Sequence, residues 1–277
     1  MEEIKVAYLG PEGTYTHLAA ILQFGEQSQL LACASIDDVF SMVEKNQADY
    51  GVVPVENSTE GAINNTQDCL IDSELTIVGE RVVSIEHNLL IQKGTDVSNI
   101  SVIASHKQSL AQCRKWLNSN YPKIRQLECS SNAEAAKLVQ KDPHTAAIAG
   151  VMAASIYDLE IHESKIQDQK NNSTRFLVLS NEQVPASGKD KTSILVYAEN
   201  KPGSLFRVLQ PFEELQISLT KIETRPSKKE AWEYVFFIDF EGHMNEANIV
   251  NLFERLHLCT AEIKVLGSYP LFNLDTQ

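Results

Sequence analysis

The first part of the chain alternates short apolar runs with longer amphipathic ones. IKVAYLG, LLACA and VVPV read as strands. One helix is predicted after Thr14 and another after Ser35, whose hydroxyl and the Asp38 carboxylate have capping-box spacing. This alternation predicts a mainly parallel sheet with helices on both faces. VVSIEHNLLIQ is long and β-branched, and after it the pattern restarts: strand SVIAS, helix 106–118, strand IRQLECS, helix 132–141, strand TAAIAG and helix 150–157. TRFLVLS, at 174–180, is a strand with no helix after it and is expected to return to the first lobe. The chain then crosses between two α/β lobes near residues 80 and 170, which predicts a hinge with a ligand cleft.

Residues 181–191, NEQVPASGKDK, are polar with Pro and Gly and read as a linker. Beyond them the order is strand TSILVYA, helix 203–215, strands ISLTKIETR and WEYVFFIDF, helix 245–257 and strand AEIKVLG, a ferredoxin-like βαββαβ unit. Leu205, Phe206, Leu209 and Phe212 have helical spacing and are expected to form the core face of its first helix. In WEYVFFIDF, Trp232, Tyr234, Phe236, Ile238 and Phe240 alternate with Glu233, Val235, Phe237 and Asp239, so one face is expected to pack on the helices.

Composition narrows the function. The 277 residues, 43% hydrophobic and 22% charged, suffice for two cores. A net charge of -13 and a pI near 5.0 argue against nucleic acid or anionic membrane as the main partner, yet leave room for a locally positive site that takes a small anion. The start MEEIKVAYLGPEGTY lacks a basic region followed by an apolar one, and no stretch reaches the length of a membrane span, so a cytoplasmic protein is expected. Cys33, Cys69, Cys113, Cys129 and Cys259 form no CxxC pair and are expected to be free thiols; the histidines show no HExxH spacing, and no metal site is predicted.

The segments GPEGTYTH, ENSTEG, SHKQSL and SSNAEA each follow a strand and read as helix starts, with Ser105 and Gln108, and Ser131 and Glu134, at capping-box spacing. Helix starts of an open α/β sheet gather at the carboxyl ends of its strands, where their amides bind anions. Any one of them alone is an ordinary cap; four on one edge argue for a crevice. Gly10 and Gly13 do not make GxGxxG, and neither GxxxxGK[ST] nor GxSxG occurs, so nucleotide binding and acyl-enzyme hydrolysis lack support. VPVENSTEG brings Glu56, Asn57, Ser58 and Thr59 to the crevice, with Glu56 the conventional acid of these motifs, although Glu56 and Glu60 also suit the positive end of a following helix. Arg175, beside Thr174, is either a surface charge or a clamp for a carboxylate.

In this order the motifs resemble the prephenate dehydratase family, which carries GPxGTYSH-like, VPxENSxxG, SHxQxLxQC and TRF runs. Here they stand as GPEGTYTH, VPVENSTEG, SHKQSLAQC and NSTRF. The C-terminal part resembles an ACT domain, with the effector signatures GALxxxL and ESRP standing as GSLFRVL and ETRP. The resemblance covers the whole chain. It implies a two-lobed, type II periplasmic-binding-protein-like catalytic domain over 1–182 (lobe 1 about 1–80 and 172–182, lobe 2 about 81–171) and an ACT domain over 190–277. It further implies cofactor-free conversion of prephenate to phenylpyruvate, with loss of water and carbon dioxide.

Carried over by motif, Thr174, Arg175, Glu56 and Ser58 are expected at the chemistry, and Thr14, Tyr15, Asn57, Ser105, His106, Gln108 and Phe176 at the substrate. L-Phenylalanine is expected between ACT domains of a homodimer or homotetramer, at Gly203, Ser204, Leu205, Glu223, Thr224, Arg225 and Pro226. Thr16 and Lys107 replace a usual Ser and a frequent Pro; Ser204 and Thr224 replace a usual Ala and Ser in the effector signatures and bear on how strongly the effector binds. The chain's length and order predict a monofunctional enzyme. Two alternatives stand beside this reading: an arogenate dehydratase acting on the amino analogue, and a non-catalytic small-anion binder.

Overall fold

The structure, a computed structural model, describes residues 3–198, 201–226 and 234–272; Trp232 and Glu233 of the expected strand lie outside them. The chain divides into two compact units, Met1–Gln67 with Arg81–Phe176, and Asp68–Glu80 with Leu177–Gln277.

The first lobe is laid down by β1 (Lys5–Leu9), α1 (Tyr15–Phe24), β2 (Gln29–Cys33), α2 (Ile36–Glu44), β3 (Tyr50–Asn57), the short β4 (Gly61–Ala62), α3 (Asn64–Asp72) and β5 (Thr76–Ser84). Its sheet runs β2-β1-β3-β11-β5, where β11 (Ser173–Ser180) is the returning strand expected from TRFLVLS. β1 pairs in parallel with β2 and β3, and Val6, Tyr8, Ala19, Ala20, Val52, Val83 and Phe176 close one core. Ser35 and Asp38 form the capping box read from their spacing.

The second lobe contains β6 (Asn88–Gln92), β7 (Val102–His106), α4 (Lys107–Gln112), α5 (Arg114–Asn120), β8 (Arg125–Cys129), α6 (Asn132–Lys141), β9 (Thr145–Ala149), α7 (Val151–Ile156) and β10 (Leu159–Glu163). Its sheet order is β10-β6-β9-β7-β8. Alternation along the strands sends Leu89, Ile91, Ile103 and Ile148 to one core, and Leu90, Ala104, Ala147 and Ala149 to the other. The alanine face lets α6, itself contributing Ala133, Ala135 and Ala136, lie close to the sheet.

Four expectations change. VVSIEHNLLIQ breaks at 85–87 into β5 and β6, and helix 106–118 breaks at Cys113 into α4 and α5. ENSTEG is not a helix start. It is the turn of a hairpin in which Glu56 faces Ala62 and Asn57 faces Gly61, with Gly61 at φ 84°, and the helix waits until Asn64. Ser105 is the penultimate residue of β7, fully buried, and its hydroxyl donates to Ile148 O at 2.6 Å on the neighbouring strand; His106 is the N-cap instead, its Nδ1 accepting from Gln108 N–H. The Ser131 hydroxyl does accept from Glu134 N–H, while the Glu134 carboxylate reaches one residue further back, to Ser130 N–H.

The second unit has the expected βαββαβ order: β12 (Asp190–Tyr197), α8 (Ser204–Glu214), β13 (Leu219–Pro226), β14 (Tyr234–Glu241), α9 (Ala247–His257) and β15 (Glu262–Pro270). The sheet order is β13-β14-β12-β15, and Phe236, Ile238 and Phe240 meet the helices as expected. The linker is shorter than expected, since Asp190 and Lys191 are buried residues of β12. α8 is rotated by about one residue from its expected face: Ser204, Val208, Pro211 and Phe212 are buried, whereas Leu205 and Phe206 are exposed. Val208 fills the core, so the neighbouring residues swing outward by the helical step.

This unit also takes in residues 68–80. Gly267, at φ 154°, lies so close to Ile77 that a Cβ would stand 2.1 Å from its carbonyl oxygen. Lys191 Nζ binds both oxygens of Glu80, at 2.7 and 2.9 Å, and the two side chains are only 11% and 3% exposed. Removing one member would leave a buried, uncompensated charge. Glu80→Ala should therefore lower unfolding stability by about 3–5 kcal/mol, and adding Lys191→Met should recover much of the loss; urea denaturation of the two variants measures both.

Candidate active site

Within the first unit lies a cavity of about 400 Å³. Its lining comes from the starts of α1 (Gly13, Thr14, Tyr15, Thr16), α4 (His106, Gln108, Ser109), α6 (Ser130, Ser131, Asn132) and α7 (Gly150), and from Asn57, Thr174 and Phe176 on β3 and β11. Three of the four predicted helix starts thus meet here, with α7 in place of the ENSTEG hairpin. Among the described residues that line it there is no Lys, Arg, Asp or Glu.

The walls are set by tight packing. Tyr15 lies against Gly150, where a Cβ would be 3.2 Å from the ring, and its hydroxyl donates to Glu86 O at 2.5 Å. Burial pushes the Tyr15 phenol far above its ordinary value, so it stays neutral. Tyr157 O–H donates to Glu12 O at 2.7 Å and ties the second lobe to the Gly10–Thr14 turn. Within that turn His17 stacks on Tyr8 and accepts from Gly13 N–H at 3.1 Å.

Asn57 organises the other wall. Its Oδ1 receives the backbone N–H of Thr59 at 3.0 Å and of Glu60 at 3.1 Å, and the Thr59 hydroxyl at 2.6 Å. Backbone N–H groups only donate, so this end is the oxygen and Nδ2 faces the other way. Nδ2 donates to Thr174 Oγ at 2.9 Å and to Asn172 Oδ1 at 2.9 Å. Asn172 in turn donates to Gln112 Oε1 at 3.1 Å, which leaves that oxygen to accept from His87 Nε2 at 2.8 Å. Gln112 Nε2 closes the circuit on Thr59 Oγ at 3.2 Å.

Two consequences follow for protons. Thr174 Oγ already accepts a hydrogen bond, so its own hydrogen is available to the cavity. His87 is the Nε2–H tautomer, and its buried Nδ1 has no partner among the described residues. Burial lowers the His87 pKa, the Gln112 contact opposing only in part.

A family model for prephenate dehydratase matches residues 6–184, and one for the ACT domain matches 192–258. The chain belongs to the prephenate dehydratase family. The bifunctional chorismate mutase/prephenate dehydratase of Pseudomonas aeruginosa is 51% identical, the match spanning 97% of this chain and 74% of that one. The prephenate dehydratase of Methanocaldococcus jannaschii is 38% identical over 97% of this chain and 98% of its own. The crystal structure of the Arthrobacter aurescens prephenate dehydratase in complex with L-Phe has a TM-score of 0.89 to this chain at 30% identity, covering 99% and 91% of the two.

Of the residues expected at a prephenate dehydratase site, Thr174, Phe176, Asn57, Thr14, Tyr15, His106 and Gln108 line the cavity, and Glu56, Arg175, Ser58 and Ser105 do not. Strand alternation is the reason for two of these. Arg175 sits between Thr174 and Phe176 on β11, and Glu56 precedes Asn57 on β3, so both are turned to the opposite face. The Ser58 hydroxyl accepts from Ser173 N–H at 2.9 Å and fastens the hairpin to the start of β11. Gln112, Asn132, Ser109 and His87 line the cavity and were not singled out from sequence. Gln112 closes the SHKQSLAQC run and Asn132 stands in SSNAEA, whereas His87 lay unmarked in an apolar strand pattern.

Since burial holds His87 below the ordinary value of 6.5, the unfolded chain binds its proton more readily, and stability should fall as pH drops below about 6.5. His87→Gln should make that decline shallower between about pH 6.5 and 5, as read from urea midpoints across that range.

Proposed function

We propose that this protein is a prephenate dehydratase in which Asn57 and Thr174 act as a pair on the departing 4-hydroxyl. Prephenate is a dianion. Its ring carboxylate leaves as carbon dioxide, the electrons of that carbon–carbon bond enter the ring, and the C4–O bond breaks to give an aromatic product and, with one proton, water. The substrate supplies the drive; the protein must polarise the leaving hydroxyl and hold the carboxylates without overstabilising the one that departs. The carrying observation is the direction of the Asn57–Thr174 bond, which polarises the Thr174 hydroxyl and leaves its hydrogen for the leaving group. Glu56 and Arg175 take no part in this reading.

The uncharged lining supports the same substrate. Neutral donors and helix-start amides hold carboxylates, yet no Asp or Glu stands among the described lining residues to meet an ammonium group, which favours the keto acid over arogenate. Thr174→Val, which keeps shape and removes the hydroxyl, should cut kcat by about 10² to 10⁴, followed by the ultraviolet absorbance of phenylpyruvate. If Thr174→Val retains turnover and Glu56→Gln abolishes it, the acid is Glu56. Turnover of arogenate above that of prephenate would overturn the substrate assignment.

The regulatory part of the proposal places L-phenylalanine at Gly203, Ser204 and Leu205 with Glu223, Thr224, Arg225 and Pro226, in a cytoplasmic homo-oligomer. Exposed Leu205, Phe206 and Ile222 support an apolar surface that a second copy covers, and Gly203 opens α8 in a left-handed conformation at φ 80°. Within the second unit, Arg225 on the effector strand β13 binds Asp68 at 2.6 Å. Titration calorimetry should give heat with L-phenylalanine, and the effector should weaken apparent turnover by about 5- to 150-fold, equivalent to 1–3 kcal/mol of coupling; no heat with unchanged kinetics would remove the assignment.

A further inference from the structure

Because no Lys or Arg stands among the described residues of the cavity lining, uncharged side-chain and backbone donors are the main means of meeting a dianion, and the hydrogen-bond directions separate spent donors from free ones. The Thr14 hydroxyl gives its proton to Pro11 O at 2.9 Å and accepts from His17 N–H. Tyr15 O–H is used on Glu86 O, and Ser109 O–H on Asn132 Oδ1 at 2.9 Å. None of these three can turn to a ligand without breaking a contact that shapes the cavity.

Asn132 is built the other way round. Its Oδ1 receives His106 N–H at 3.2 Å and Ser109 O–H at 2.9 Å, and lies 3.0 Å from Ser105 Oγ. The backbone N–H fixes that end as oxygen. Nδ2 therefore points away from this cluster, its two hydrogens have no partner among the described residues, and the residue lines the cavity. The side chain also sits at the first position of α6, whose Ser131 cap leaves amides of the same turn open to an anion.

We propose that Asn132 Nδ2 is a substrate-binding donor that holds the pyruvyl carboxylate of prephenate. The assignment rests on the dehydratase reading above. A donor whose amide is locked by two hydrogen bonds at its oxygen stabilises its partner equally in ground and transition state, which suits a carboxylate that keeps its charge throughout. The ring carboxylate becomes neutral carbon dioxide, and a fixed donor there would oppose its departure. With Thr174 at the 4-hydroxyl, the opposite end of the ring is then anchored by the second lobe.

Asn132→Asp tests this, since the carboxylate keeps the acceptor for His106 N–H and Ser109 O–H and the same shape, and replaces the donor with an anionic oxygen that repels a bound carboxylate. KM for prephenate should rise about 10- to 100-fold, the loss of a hydrogen bond to a charged group, with kcat within about threefold of the unaltered protein. Product inhibition by phenylpyruvate, which carries only the pyruvyl carboxylate, should weaken by the same factor. Unchanged KM, a fall confined to kcat, or weakened prephenate binding with normal phenylpyruvate inhibition would each overturn the assignment. Circular dichroism checks folding, and if Asn132→Asp does not fold, Asn132→Ser carries the test, a KM at least about fivefold higher supporting it and an unchanged KM overturning it. If the unaltered protein turns over no prephenate, it is the dehydratase reading that fails.

Discussion

The hydrogen-bond direction of one carboxamide, Asn57, governs the site. The tight β3–β4 hairpin brings two backbone N–H groups onto Oδ1, and from that point every proton in the circuit is determined: Nδ2 to Thr174 and Asn172, Asn172 to Gln112, His87 to Gln112. Thr174 is left with a hydrogen to give, and His87 is held neutral. An alcohol is a poor acid by itself. Here its oxygen is supported by an amide donor inside a largely buried wall, where such a bond is stronger than in water.

The same economy marks the rest of the cavity. Among the described residues the lining holds no Lys, Arg, Asp or Glu, and on the proposed reading anion affinity comes from side-chain amides, hydroxyls and helix starts contributed by both lobes. Fixed cations would bind a dianion tightly, but they would also stabilise the carboxylate whose negative charge must vanish during the reaction. Neutral, oriented donors hold the ligand with a smaller ground-state penalty. The second unit does bury full charges, among them the Glu80–Lys191 pair, which joins the 68–80 segment to β12.

Much of the architecture was legible in sequence. Alternating apolar runs gave the two lobes, the returning strand at 174–180 and the βαββαβ order, because strand and helix periodicities are local properties of the chain. Locally encoded caps such as Ser35 with Asp38 also appeared as read. The misreadings arose where a local signal competed with a partner distant in sequence. Ser105 has capping-box spacing, but Ile148 O lies beside it on the next strand; Leu205 and Phe206 have core spacing, but Val208 and Phe212 fill the core.

The sequence by itself determined the family, the order of elements and which motifs meet at the crevice, since motif spacing and apolar periodicity are carried by neighbouring residues. Only the tertiary structure decided which member of each motif faces the cavity. Glu56 and Asn57, or Thr174 and Arg175, differ by one position, and a single step along a strand turns a side chain to the opposite face. It also decided the direction of each donor: Asn57 and Asn132 are amides of either orientation until backbone N–H groups from the hairpin and from the start of α4 fix the oxygen.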